Sequence, residues 1–306
     1  MDFSTPSKIL KLYRHGFVGS ICDPEDVKKL MGELPMPVFG VAAHNLFGDG
    51  DGKLSLPFKS LLKFDPGFGP AERQTTGDCV SHATRNAIDI TRSVEIDIKG
   101  DREQFVSRGA TEGIYQSRGH RGQGMSCSSA ARYVYEEGGI LLRKDYGKVD
   151  LSKYDSEIGA DHEIPDSIYR DEAQKHQVKT ISSVRTVQEA KDALANGYSL
   201  SVCSGHGFSS KRDKNGIAKK SSGWNHAMTW IACDDTHDVH KESLFLIQNS
   251  WGVWNSGPKR LGQPDGSFWI RERDARDMLS GGGAWVFSDV SGFPAKNIDW
   301  TIDEVF

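Results

Sequence analysis

Gln74-Thr75-Thr76-Gly77-Asp78-Cys79 opens the stretch whose reading decides the fold. Cys79 is followed by Val80, Ala83, Ala87 and Val94, small or apolar residues at three- and four-residue steps, with Thr84 and Thr91 between them. That spacing predicts a helix starting at or near Cys79, with Gly77 supplying a turn and Asp78 an N-cap. A helix N-terminus carries about half a positive charge, and a thiol placed there ionises more readily than at its ordinary pKa of about 8.5. An Asp78 carboxylate pointing at the sulfur opposes this; capping the helix turns it away.

Two later segments supply partners for the thiol. Trp224-Asn225-His226-Ala227 leads into an apolar run at 228–232, and Gln248-Asn249-Ser250-Trp251-Gly252 follows another at 244–247. The chain order Gln74, Cys79, His226, Asn249 gives the parts of a thiol acyl-transfer site that assembles only in the fold. In that site His226 is the base that takes the thiol proton and later protonates the leaving group. Asn249 accepts from one imidazole nitrogen and leaves the other facing sulfur. Trp251 covers the His–Asn hydrogen bond and keeps water from it. Gln74 and the Cys79 backbone N–H donate to the oxyanion of the tetrahedral intermediate. Each residue alone has an ordinary explanation: a buried thiol, a core histidine, a turn asparagine. The combination is what is specific.

The order and flanks of these motifs resemble the papain-like cysteine peptidases, over about residues 70–290. The resemblance implies an α+β, papain-like two-subdomain fold: a helical subdomain at about 69–165, a β-barrel-like antiparallel subdomain at 166–290, an N-terminal extension at 1–68 and a tail at 291–306. It also implies that Gly122-Gln123-Gly124 forms one wall of a substrate cleft, with Gly122 and Gly124 allowing the substrate backbone to come close. A helix through Ala130, Ala131, Tyr133 and Val134, ended by Gly138-Gly139, then follows. Trp224 is expected near the pocket for the substrate's second side chain, with Ala227 and Trp251 also lining the site; ordinary strand packing of Trp224 is an equal alternative. Thr186-Val187-Gln188-Glu189 reads as a capping box opening a helix that Gly197 closes. Strands are expected through Leu200 to Cys203, at the His and Asn segments, and at 266–270 and 284–287.

The sequence departs from the family at four points. Gln74 precedes Cys79 by five positions, one fewer than usual. Val80 stands where Trp is normal after the nucleophile. The cysteine often found just before the nucleophile is absent, and Asn225 replaces the Asp that often precedes the histidine.

Composition sets outer bounds. A chain of 306 residues with 37% apolar and 26% charged side chains can bury a substantial core as one large or two medium domains. A net charge of −4 points to neither nucleic acid nor membrane as partner. No apolar run reaches the ~20 residues of a membrane span, and the start, Met1 to Pro6, has no signal-peptide pattern. The five cysteines (22, 79, 127, 203, 233) form no CxxC pair. They are expected as reduced thiols in a cytoplasmic or particle-assembled protein, with Cys127 able to pair if the chain meets an oxidising medium. No cofactor or metal is expected. The run 47–53 cannot complete an EF-hand, because Phe47 and Phe58 fall at ligand positions. It reads as a turn, and 234–240 reads as a polar hairpin loop.

Residues 23–31 read as a short helix with Pro24 in its first turn, followed by irregular chain to about 70. Nothing there has the helical length of a papain-like pro-region; a docking arm for protein partners or a partial cover is expected instead, with an extension wrapped on the core as the plain alternative. Residues 211–222, charged and Ser-rich, read as a mobile loop beside the cleft, and 298–306 as a segment with exposed aromatics. The function expected is hydrolysis of peptide bonds through an acyl-enzyme on Cys79. The alternative is a papain-fold structural or peptide-binding component of a larger assembly, such as a virus or phage particle, with little or no catalysis.

Overall fold

The computed structural model describes residues 38–68, 72–99, 105, 107–120 and 122–300. The expected helix at 23–31 lies outside the described residues.

In chain order, α1 (Phe39–Ala42), β1 (Leu54–Ser55) and α2 (Phe58–Phe64) precede the nucleophile helix α3 (Cys79–Lys99). Then come α4 (Thr111–Gln116), α5 (Cys127–Glu136), α6 (Ser156–Asp161) and α7 (Asp166–Glu172). The second half alternates β2 (Thr180–Ser183), α8 (Val187–Ala195), β3 (Leu200–Arg212), β4 (Ala218–Asp234), β5 (Leu244–Gln248), β6 (Ser267–Arg271), α9 (Glu272–Leu279) and β7 (Ala284–Ser288). This is the α+β arrangement expected from the sequence: a helical part ahead of a sheet.

The seven strands form one antiparallel sheet in the order β2-β7-β3-β4-β5-β6, with β1 paired to the far end of β4. Helix α3 lies on it. Its buried face (Val80, Ala83, Ala87) shares a core with Cys203, Ala227, Trp285 and Phe287 of the sheet, while Ile90 and Val94 join Ile231, Leu246 and Trp269. Thr229 on β4 donates its hydroxyl to the Ala83 carbonyl at 3.2 Å, and the Thr84 and Ser201 hydroxyls meet at 3.3 Å. Both contacts fix the first turns of α3 over β3 and β4, where the site residues sit.

The capping box forms as read: Thr186 accepts from the Glu189 N–H, and the Glu189 side chain accepts from the Thr186 N–H. Gly197, at φ +75, ends the helix in a conformation a side chain resists.

Three expectations need correction. Residues 211–222 are not a mobile loop, because β3 and β4 continue as a ribbon turning at 213–217. Asp213 Oδ1 accepts the N–H groups of Asn215 and Ile217. The buried Arg212 guanidinium donates to Asn255 Oδ1 and to the carbonyls of Ser267, Pro258 and Gly257. Trp300 is not exposed but buried, donating its indole N–H to the Ala195 carbonyl. The chain before residue 70 is not irregular throughout: Leu56, Phe58 and Leu61 enter the core beside Ile90 and Val94.

The turn at 47–53 is a backbone nest rather than a cation loop. The N–H groups of Gly48 and Gly50 donate to the Asp192 carboxylate, and that of Gly52 to Asp235. Among the described residues no group of three or more His, Cys, Asp or Glu is placed to hold a metal ion. No helix there is long and apolar enough to cross a membrane.

Candidate active site

Cys79 is the first residue of α3, His226 lies within β4, and Asn249 follows the last residue of β5. His226 faces Ser204 across the β3–β4 pairing, and Cys203 faces Ala227. Ala227, the neighbour of His226 on β4, shares the core that holds Cys79, and His82 on the first turn of α3 is near enough to act on the His226 imidazole.

His226 Nε2 and Asn249 Oδ1 are 2.8 Å apart. Oδ1 also accepts the Ser250 N–H at 2.7 Å. An amide oxygen only accepts, so the neutral imidazole carries its proton on Nε2 and its lone pair on Nδ1. The Trp251 ring lies over the imidazole, 4.7 Å between centroids and tilted by 31°. Burial pushes the His226 imidazole down to about 4; the Asn249 bond opposes this, and the nearby His82 imidazole adds to it. His226 is therefore neutral at pH 7 and available as a proton acceptor.

Gln74 is held by the residue after Asn249. Its N–H donates to the Ser250 carbonyl at 2.8 Å, and its Oε1 accepts the Ser250 hydroxyl at 2.6 Å. Its Nε2 donates to the Thr76 carbonyl within the loop leading to Cys79. Ser250 thus touches both the amide that orients the histidine and the amide expected at the oxyanion. Its place in the Asn-Ser-Trp-Gly motif was visible in the sequence; this coupling was not.

Gly122 and Gly124 flank Gln123, whose Oε1 accepts the Thr76 hydroxyl at 2.8 Å and the Gly77 N–H at 2.5 Å. A Cβ on Gly77 would stand 2.7 Å from both Gln123 Oε1 and the Gly124 nitrogen, so only glycine fits this approach. The Gly122–Gly124 segment therefore sits directly against the turn before the nucleophile. Gly122 itself is exposed, its carbonyl taken by the Arg118 Nε–H. Trp224 is buried and packs against Trp251 at 4.7 Å and Trp254 at 5.6 Å, with Phe208 edge-on. Strand packing, the alternative raised by the sequence, accounts for those contacts.

Asp78 does not cap α3. Its Oδ2 accepts the Tyr154 hydroxyl at 2.8 Å and lies 3.4 Å from Nε2 of His82, on the first turn of α3. Nor are all the cysteines reduced: Cys127, the first residue of α5, is disulfide-bonded to Cys203 on β3. Cys79 and Cys233 are buried and outside that disulfide. The bridge ties the helical part to the sheet one register step from His226.

No family model and no curated protein matches the chain. Among solved structures it is similar to xylellain, a cysteine protease from Xylella fastidiosa, at 19% identity and TM-score 0.49, over 72% of this chain and 82% of that one. It is similar to the digestive procathepsin L2 proteinase of the Tenebrio molitor larval midgut at 16% and 0.45, over 73% and 66%. A third is the proform of Amb a 11, a ragweed pollen cysteine protease, at 13% and 0.43, over 72% and 64%. The chain spans about two thirds of the length of the latter two. At these values the similarities carry no argument about activity, which rests on the residues described above.

Proposed function

We propose that the chain is a papain-like cysteine peptidase acting on peptide or protein substrates. The observation that carries this is the His226 Nε2–Asn249 Oδ1 bond at 2.8 Å, shielded by Trp251 beside the start of the Cys79 helix. It fixes the tautomer in which Nδ1 can accept a proton. As a peptide carbonyl arrives, the Cys79 thiol proton passes to Nδ1 and the sulfur bonds to the carbonyl carbon. The electron pair of the C=O moves to oxygen, where Gln74 Nε2–H and the Cys79 N–H are the donors. The intermediate collapses, the C–N bond breaks, and His226 protonates the leaving amine. Water, losing a proton to Nδ1, then attacks the thioester and releases the acid and the thiol. The Cys127–Cys203 bridge favours an oxidising compartment as the place of work.

The test is turnover of a fluorogenic peptide library. Cys79→Ala and His226→Ala should each abolish it while the melting temperature holds. Asn249→Ala should lower it less, because Asn249 orients and does not react. Equal losses for all three would overturn that assignment of roles.

One observation favours a second reading, a papain-fold component that binds without turnover. Cys79, His226 and Asn249 are all 0% exposed. On that reading no variant of the three changes what the protein does.

A further inference from the structure

The loop between Gln74 and Cys79 must hold two oxyanion donors in place with only four residues, Thr75 to Asp78, between them. Its middle is fixed from one side by Gln123, which takes the Thr76 hydroxyl and the Gly77 N–H. Its two ends are fixed from the other side by one hydroxyl. Tyr154 Oη accepts the Thr75 N–H at 3.1 Å and donates to Asp78 Oδ2 at 2.8 Å. Burial and the Asp78 carboxylate raise the Tyr154 hydroxyl well above its ordinary value, so it stays a donor at working pH. The ring is seated independently, edge-on to His82 at 5.1 Å and under the Arg143 guanidinium at 5.7 Å. Tyr154 comes from the segment before α6, 76 positions after Asp78 and outside every motif that marks the site.

We propose that Tyr154 is a positioning residue for the oxyanion loop. Its hydroxyl closes the loop across Thr75 and Asp78 and so holds Gln74 and the Cys79 N–H at the spacing the tetrahedral intermediate needs. The shortened Gln–Cys spacing is where such a clamp is required, since a displaced donor loses most of its effect on the transition state. The inference rests on the peptidase reading.

Tyr154→Phe removes the hydroxyl and leaves the ring. Peptide hydrolysis develops an oxyanion; alkylation of the thiol by iodoacetamide does not. The expected result is kcat lower by about tenfold to a hundredfold, KM and the Cys79 alkylation rate each within about twofold, and faster amide exchange in 74–79. Unchanged kcat in an active enzyme overturns the proposal, as does a parallel fall of kcat and alkylation, which marks a merely structural tyrosine. Unchanged loop exchange overturns it whatever the activity. If wild type turns over no peptide while the variant's loop exchange rises, the clamp stands and the peptidase reading fails.

Discussion

Two side chains prepare the His226 imidazole for the part the proposed site gives it. Asn249 Oδ1 accepts from His226 Nε2, and the Trp251 ring covers the imidazole. The same burial has a pH signature. His226, held at about 4 in the folded chain against about 6.5 unfolded, takes up its proton first in the unfolded state as pH falls. Folding stability from this group is complete above about pH 6.5, declines as pH drops toward 4, and is about 3 kcal/mol lower once both forms are charged. The difference in unfolding free energy between wild type and His226→Gln, measured by urea denaturation from pH 4 to 7.5, should change by that amount in that direction. A flat difference would show that His226 titrates normally. At this scale the sequence was most legible for the His226–Asn249 contact, whose two residues are marked by their neighbours on the chain. The contacts of Ser250 with Gln74 and of Tyr154 with Asp78 were not legible, because the partners lie 176 and 76 positions away and meet only in the fold.

At the level of elements, α3 is held by charge as well as by packing. Glu72 accepts from Arg85 of α3 at 3.1 Å and from Arg143 at 2.9 Å, and Arg143 also donates to Glu112 at 2.5 Å. Burial raises Glu72, but the guanidiniums of Arg85 and Arg143 outweigh it and hold the carboxyl at about 2. Glu72→Gln leaves two nearly buried guanidiniums short of a counter-charge. It should destabilise the protein by about 3 kcal/mol in chemical denaturation at pH 7; a loss below about 1 kcal/mol would show that Glu112, together with Asp89 at 3.8 Å from Arg85 Nε, suffices. Helices α3, α5 and α8 were readable from apolar spacing and caps, and β4 and β5 from their apolar runs. The outer ribbon of β3 and β4 was not. Its residues 219–223 are exposed, polar and Ser-rich, and they are strand only because β3 pairs with them and Arg212 anchors the turn.

Across the whole molecule, the two halves that carry Cys79 and His226 are joined by the Cys127–Cys203 bridge, 76 residues apart in sequence. The sequence singled out Cys127 as able to pair but not its partner; the approach of α5 to β3 supplies Cys203. Closing a loop of that length contributes about 4 kcal/mol through the unfolded chain. A Cys127→Ala/Cys203→Ala double variant should therefore melt about 10 °C lower, and reductant should lower the wild-type melting point but not the variant's. Equal melting points without reductant would show the bridge to be dispensable.

The proposed pairing of Cys79 with His226 is tested most directly by the rate of Cys79 alkylation with iodoacetamide from pH 4 to 9.5, read by mass spectrometry in wild type and His226→Gln. With a neutral imidazole as base, wild-type labelling should stay fast well below pH 8 and fall away only near pH 4. The variant should label slowly, rising only near about pH 8–9 as an ordinary thiol does. Identical profiles in the two proteins, or no labelling of native wild type at any pH, would contradict a reactive thiol–imidazole pair and leave the fold with a binding role.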